Sequence, residues 1–268
     1  MSIFITGDCH GEWNRRFNTK NFPEQKTMTK EDFVIVCGDF GYWTASEQQD
    51  HWLDWLNRKP FTTLFVDGNH ENFDGLYSMP AESWKGGRIH RVRASVIHLM
   101  RGQIFQLEDR TFFTFGGASS HDVQGGILDR DDPEYRRKKR RLDELWIPYR
   151  INHVSWWAQE LPSEEECQEG LRNLAAAGWK ADYIITHCCP GSLLARMRLA
   201  ERYPPDRLTE YLEHIRQKTR YRRWYFGHYH KTANVGKRET VIYEKIVPLP
   251  QGAEEEGLPV SLFPIQKI

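Results

Sequence analysis

The chain of 268 residues lacks an excess of either charge: 37 Lys and Arg stand against 37 Asp and Glu. Proteins drawn to nucleic acid or anionic membrane by their overall field carry a basic surplus, so bulk electrostatics names neither partner. Long apolar runs are lacking too. At a mean hydropathy of -0.69 nothing approaches the ~20 apolar residues that cross a bilayer, and no transmembrane helix is expected. The opening Met-Ser-Ile-Phe-Ile-Thr carries neither a basic stretch nor a long apolar one, so no secretory signal is expected and the cytoplasm is the default compartment. Cysteine is scarce. Cys9, Cys37, Cys167, Cys188 and Cys189 are an odd, sparse set that reads as reduced thiols, not as a disulfide framework. Internal repeats and low-complexity linkers are missing as well. What is present, 39% hydrophobic residues with ten tryptophans, suffices for one large core.

Against this background one event recurs: a short apolar, β-branched run stops at turn residues followed by side chains able to bind metals. Ile3-Phe4-Ile5-Thr6 meets Gly7-Asp8-Cys9-His10, and Phe33-Val34-Ile35-Val36-Cys37 meets Gly38-Asp39. Thr63-Leu64-Phe65-Val66-Asp67 meets Gly68-Asn69-His70-Glu71. Tyr183-Ile184-Ile185-Thr186 delivers His187, and Trp224-Tyr225-Phe226 delivers Gly227-His228-Tyr229-His230. Continuous apolar runs of this length suit strands buried on both faces, as in an α/β sheet covered by helices. Ligands of α/β proteins gather at the carboxyl ends of such strands, and all five are expected at one edge of one sheet.

Helical patterns separate the runs. Ser46 with Gln49 reads as a capping box ahead of Trp52, Leu53, Trp55 and Leu56, and Ser163 with Glu166 as another ahead of Cys167, Leu171 and Leu174. Asp206 opens a third helix with Leu208, Tyr211, Leu212 and Ile215 on one face. Ile97–Met100, Gln103–Leu107 and Thr111–Phe115 read as consecutive strands, and Val241–Val247 as a terminal one. From about Ala118 to Pro162 the rhythm is lost. That stretch carries six consecutive basic residues, Arg136 to Arg141, followed by Trp146, Trp156 and Trp157. It is too short to bury its own core and reads as an insertion or lid.

Asp8, His10, Asp39, Asn69, His187, His228 and His230 offer carboxylate, imidazole or amide donors. Converging without counter-charge, they would form a poorly solvated cluster; two cations sharing one carboxylate account for their number. The five segments resemble the calcineurin-like metallophosphoesterases, whose motifs run GD-x-H, GD, GNH(E/D), H and GH-x-H. The resemblance covers residues 3 to about 230, with every motif present and in order. It implies a two-sheet α/β/β/α sandwich, one domain over 1–268 with an insertion at about 118–162. It also implies that Asp8, His10, Asp39 and His230 hold one metal and Asp39, Asn69, His187 and His228 the other, with Asp39 as the bridge.

The chemistry of such a pair is hydrolysis of a phosphate mono- or diester by a metal-bridging hydroxide. His70 is spare in the coordination count and suits assistance to the leaving oxygen. A donor set of oxygen and imidazole favours manganese, iron or zinc. The expected partner is a phosphorylated small molecule or nucleotide, with nucleic acid less favoured and no membrane. In one respect the chain departs from the protein Ser/Thr phosphatases of the family: their second motif, GD-x-x-D-R-G, bears an arginine, whereas this chain reads Gly38-Asp39-Phe40-Gly41-Tyr42-Trp43. That counts against a protein phosphatase, while the GH-x-H ending is frequent among diesterases.

Other readings stand beside this one. The fold could serve as a non-catalytic metal-binding interaction module, or as a nuclease or cyclic-nucleotide phosphodiesterase. Cys9, Cys37, Cys188 and Cys189 adjoin ligands but are expected to pack as small hydrophobes. The run Arg136 to Arg141 is expected to be a solvated helix face, and Trp156 and Trp157 to lie in the core. His121 and Asp122 follow Gly116-Gly117-Ala118 and could reach the site from a neighbouring strand end; they are given little weight.

Overall fold

The computed structural model describes residues 1–43 and 46–250, so the last part of the domain expected over 1–268 lies outside the described residues. Strands and helices alternate at first: β1 (Ile3–Thr6), α1 (Trp13–Arg16), β2 (Phe33–Val36), α2 (Glu47–Asn57), β3 (Thr62–Phe65) and α3 (Phe73–Tyr77). Strands β4 (Ala81–Trp84), β5 (Gly87–Arg93), β6 (Val96–Leu99), β7 (Gln103–Leu107) and β8 (Arg110–Phe115) follow in succession. The segment 118–162 contains short strands β9 (Ile127–Leu128) and β10 (Arg150–Ile151) on either side of α4 (Tyr135–Glu144). Next come α5 (Glu164–Ala176), β11 (Tyr183–Thr186), α6 (Gly191–Arg196), α7 (Arg207–Lys218) and β12 (Arg223–Phe226). Strands β13 (Ala233–Asn234), β14 (Glu239–Val241) and β15 (Val247–Pro248) end the described chain. The expected helix starts are in place, although the Gln49 side chain accepts the Trp43 N–H and does not complete the capping box expected with Ser46. Ser46 accepts the Gln49 N–H, Ser163 and Glu166 cap reciprocally, and Asp206 accepts the N–H groups of Leu208 and Thr209.

The strands form two main sheets, ordered β15-β1-β2-β3-β6-β5-β4 and β13-β14-β12-β11-β8-β7. Their centres are parallel: β1, β2, β3 and β6 in the first, β8, β11, β12 and β14 in the second. The chain changes sheet between β6 and β7, at Arg101-Gly102. Side-chain alternation then sorts the residues into three layers. Ile3, Ile5, Phe33 and Ile35 of the first sheet share a core with Phe105, Phe112, Tyr183 and Tyr225 of the second. On the outer face of the first sheet Phe4, Val34, Val36 and Phe65 pack with Trp13, Leu53 and Leu56. On the outer face of the second, Ile184, Trp224 and Phe226 pack with Leu174, Leu208, Leu212 and Ile215. Both faces of each central strand are therefore covered, which is why those strands read as unbroken apolar runs. The result is the expected α/β/β/α sandwich. Among the described residues no helix is long and apolar enough to cross a membrane.

Two expectations need correction. The motifs do not share one sheet edge: three follow β1, β2 and β3 in the first sheet and two follow β11 and β12 in the second. Strands buried on both faces look alike in sequence whichever sheet they join, so periodicity cannot separate them. The terminal strand expected over Val241–Val247 is two pieces. β14 ends at Val241 in the second sheet, β15 begins at Val247 in the first, and the intervening chain crosses between them. There the backbone carbonyl of Tyr243 accepts the Gly7 N–H at 3.0 Å, and its ring stacks on His230.

Candidate metal centre

The carboxyl ends of β1, β2 and β3 meet those of β11 and β12 where the two sheets abut, and the motif side chains converge there. Asp8, His10 and His230 form one group and Asp39, His187 and His228 another, the donor atoms within each lying within 4.8 Å of one another. The second group is wholly buried; the first opens to solvent through His10 and His230. In the first, His10 Nε2 and His230 Nε2 are 3.0 Å apart, and Asp8 Oδ2 lies 3.2 Å from His230 Nε2. Asp39 faces both groups, with Oδ1 3.3 Å from His187 Nε2 and Oδ2 3.8 Å from His10 Nε2. Asn69 joins the second group, its Oδ1 3.4 Å from His187 Nε2.

Hydrogen bonds to the outer atoms leave inner atoms free to coordinate. Asp8 Oδ1 accepts the His228 N–H at 3.0 Å, whereas Asp8 Oδ2 is buried without a hydrogen-bond partner. His187 Nδ1 donates to the Cys37 carbonyl at 2.8 Å, which leaves Nε2, once it gives up its proton, as the nitrogen that can coordinate. Asn69 Nδ2 donates to Ser120 Oγ at 3.3 Å, and Ser120 Oγ donates to Glu160 Oε2 at 2.6 Å. Glu71 sets the loop after Asp39, accepting the N–H groups of Phe40 and Tyr42 at 2.7 Å each. The backbone is strained here: His10, Asp39, His228 and His230 have φ of 48°, 43°, 68° and 47°. Non-glycine residues in this region cost of order 1 kcal/mol each and gather at functional sites. Two motif glycines give the carboxylates room. A Cβ on Gly68 would stand 2.0 Å from Asp39 Oδ1, and one on Gly227 2.2 Å from Asp8 Oδ1.

Electrostatics agree with a cation-binding role. Burial pushes the Asp39 carboxyl up, but the imidazoles of His187, His70 and His10 outweigh it and hold it well below the carboxylate range. Burial alone would lower His187, yet the Asp39 charge and hydrogen bond raise it to about 9. A proton on His187 thus compensates Asp39, and a divalent cation would take its place. His228 is pushed well below its usual value, first by burial and then by His187, and offers a neutral nitrogen. The cysteines behave as packing residues: burial pushes Cys9 to about 12 and Cys37 well above its usual value, so neither is a thiolate. The orphaned Asp8 oxygen, the shared Asp39 carboxylate and the oxygen-imidazole donor set fit a pair of divalent ions.

The sequence profile of the calcineurin-like phosphoesterase family matches residues 1–232. The chain belongs to this family. The resemblance carried by the five motifs is therefore borne out. Curated relatives include lariat debranching enzyme A of Xenopus laevis, 28% identical over 156 residues, and the lariat debranching enzyme of Mus musculus, 21% identical over 222 residues. These matches cover 51% and 71% of this chain but 27% and 40% of those proteins, so the chain spans less than half the length of either. Among solved structures, the phosphopantetheinyl hydrolase of Mycobacterium tuberculosis aligns over 94% of this chain and 97% of its own, with a TM-score of 0.42 and 12% identity.

Around the centre lie His70, expected from the sequence, and residues that sequence reasoning missed or discounted. His70 sits beside the first group, its ring centroid 5.3 Å from that of His10. Arg150 Nη2, which can only donate, lies 3.4 Å from His70 Nε2, so the ring proton belongs on Nδ1, a buried atom without a partner. Asp122, given little weight in the sequence, holds Arg150. Ser120 and Glu160 went unremarked; the one available signal was the position of Ser120 just beyond β8, beside β11 at the same sheet edge. The basic run lies on the exposed helix α4, where Arg137, Lys138, Lys139 and Arg140 pair with Glu134, Asp132, Asp143 and Glu144. It is the solvated face expected. Trp157 is buried and donates to Asp74, Trp156 is half-buried rather than core, and Trp146 is 92% exposed.

Proposed function

We propose that this chain hydrolyses phosphate esters with two divalent cations, one held by Asp8, His10, Asp39 and His230 and the other by Asp39, Asn69, His187 and His228. The observation that carries this reading is Asp39, whose two oxygens face different donor groups at 3.3 Å and 3.8 Å. When bound, such a pair supplies hydroxide at neutral pH and neutralises charge on the phosphoryl oxygens. The chain's own residues do the rest. The His70 N–H fixes Asp39 by donating to Oδ1 at 2.9 Å, which ties the His70 ring to the position of the carboxylate. Burial lowers the His70 pKa, so the ring is neutral at pH 7 and suited to assist the departing oxygen by hydrogen bonding.

Beside His228 a cavity of about 280 Å³ is lined by His121, Tyr203 and Tyr229 among others, a ring-faced space for a nucleotide or aromatic leaving group. The likeness to debranching enzymes favours a diester, including one within nucleic acid, over a monoester. Manganese, iron or zinc suits the donors, and the free cysteines fit a reducing, cytoplasmic compartment. Residues 118–162 act as an insertion in a single domain, lending Ser120, Arg150 and Glu160 to the site.

The test is turnover by protein stripped of metal and reloaded with manganese, iron or zinc, on monoester, diester, cyclic-nucleotide and short-RNA substrates. Wild type is expected to be active, with Asp39→Asn and His70→Ala each lowering turnover by orders of magnitude in a folded protein. Undiminished activity in metal-loaded Asp39→Asn would sink the reading. A wild type that binds metal stoichiometrically but turns over nothing would point to the interaction module.

A further inference from the structure

Arg150 opens β10, inside the segment between β8 and β11 of the second sheet, yet its side chain reaches the rim of the metal centre. Its Nε and Nη2 donate to Asp122 Oδ1 and Oδ2 at 2.9 Å and 2.6 Å, a two-pronged clamp. The same Nη2 lies 3.4 Å from His70 Nε2. Only 15% of the side chain is exposed, and Nη1 has no hydrogen-bond partner among the described residues. A nearly buried guanidinium with one edge held and the other unengaged is a preorganised donor, since its geometry is set before any ligand arrives. The ring of His70 separates it from His10, so it stands one side chain away from the first donor group. Burial pushes the Asp122 carboxyl up, but the Arg150 hydrogen bonds hold it below its ordinary range, so Asp122 is a carboxylate.

The geometry points to Arg150 as the residue that hydrogen-bonds the substrate's phosphoryl group, and to the Arg150–Asp122 pair as a selector for singly charged phosphodiesters over doubly charged monoesters. This rests on the phosphoesterase reading above. An unpaired guanidinium would attract a dianion more than a monoanion. Here Asp122 cancels the net charge and leaves directional N–H groups, which reward a correctly placed oxygen without rewarding an extra negative charge. The carboxylate also repels the second charge of a monoester. The insertion is thus a specificity element.

The experiment compares wild type with Arg150→Lys, Arg150→Ala and Asp122→Asn, each loaded with manganese and checked for metal content and melting temperature. Affinity for dimethyl phosphate (a monoanion) and inorganic phosphate (chiefly a dianion at mildly alkaline pH) is measured by calorimetry. Values of kcat/KM are measured for bis(4-nitrophenyl) phosphate and 4-nitrophenyl phosphate. Arg150→Ala is expected to weaken both ligands and to lower diester kcat/KM about 10- to 100-fold at unchanged metal content, with Arg150→Lys recovering part of the loss. Asp122→Asn is expected to shift preference toward the dianion and the monoester by about tenfold. Unchanged affinities in Arg150→Ala, or an unmoved preference in Asp122→Asn, overturn the inference. An active wild type with unaltered variants removes this inference alone. An inert wild type whose ligand affinities follow the stated pattern removes the hydrolytic reading and keeps the anion site.

Discussion

The Asn69 amide nitrogen donates to the Ser120 hydroxyl across 3.3 Å, joining the loop after β3 to the segment after β8. An amide can present either its oxygen or its nitrogen to a cation, and only the oxygen coordinates. By taking the nitrogen, Ser120 turns Asn69 Oδ1 inward, and Glu160 fixes Ser120 in turn. Ser120→Ala is therefore expected to lower manganese affinity about 10- to 100-fold, the usual effect of losing an outer hydrogen bond to a metal ligand. Calorimetric titration against wild type, with melting temperature as a control for folding, checks this. Wild-type affinity in a folded Ser120→Ala protein would contradict it.

The proton on His187 makes metal uptake pH-dependent. Its pKa in the metal-free protein is raised to about 9 by Asp39 against the opposing effect of burial. A raised value means that the proton is bound at neutral pH and must leave when Nε2 coordinates. Affinity should accordingly climb with pH, by about tenfold per unit below that pKa, and each binding event should release a proton. His230, raised mainly by the Asp8 carboxylate 3.2 Å away, adds to the release in the same direction. His228 is already neutral and adds nothing. Titrations between about pH 6 and pH 8, in buffers of different ionisation enthalpy, measure both quantities. A flat affinity profile would exclude the proposed exchange of proton for metal.

Arg101 and Asp67 form a buried ion pair at the point where the chain changes sheet. Arg101 Nε donates to Asp67 Oδ2 at 2.9 Å, Nη2 donates to the Gln159 carbonyl at 2.7 Å, and Nη1 reaches Glu166 of α5 at 3.3 Å. His98 Nε2 lies 3.0 Å from the other Asp67 oxygen. Burial alone would raise the Asp67 carboxyl, but Arg101 and His98 hold it below its ordinary range. Arg101→Met strands the Asp67 charge and is expected to destabilise the protein by about 3–5 kcal/mol. Removing that charge as well, in Arg101→Met with Asp67→Asn, should recover part of the loss. Asp67 has a depressed pKa, so its contribution is present above the ordinary carboxylate range and is lost as pH falls through the depressed value; Arg101→Met should therefore narrow the stability gap to wild type on the acid side. Denaturant melts across pH test both statements.

What the sequence disclosed follows from where each interaction lies along the chain. A strand covered on both faces must be apolar throughout, and a ligand at its end is a neighbour in sequence, so β1, β2, β3, β11 and β12 announced themselves together with Asp8, Asp39, Asn69, His187 and His228. The hairpin β4–β5 was silent because its strands lie toward the edge and carry residues such as Glu82, Arg88 and Arg91. The division of the motifs between two sheets was illegible because both sheets bury their strands alike. Arg150 was hidden for a different reason. Its partners, Asp122 and His70, stand 28 and 80 residues away, and no local pattern encodes a contact that only the folded insertion creates.

Gly227 gives the sharpest test of how tightly the two sheets must meet. It directly follows β12 of the second sheet, and an added Cβ would stand 2.2 Å from Asp8 Oδ1 and 2.6 Å from the Cys37 carbonyl, which follow β1 and β2 of the first. The carbonyl belongs to backbone just beyond β2 and cannot swing aside, while Asp8 Oδ1 is already held by the His228 N–H. Gly227→Ala must therefore push the sheets apart or turn Asp8 out of its group. The expected result is a loss of about 1–3 kcal/mol from overpacking together with weakened manganese binding. Gly191, at the start of α6, has nothing within 4 Å of the same added atom. Gly191→Ala should leave metal binding unchanged and alter stability by no more than about 1 kcal/mol. Melting temperature and metal stoichiometry, measured side by side on the two variants, decide the matter: equal behaviour would mean that close approach of Gly227 to Asp8 does not hold the site together.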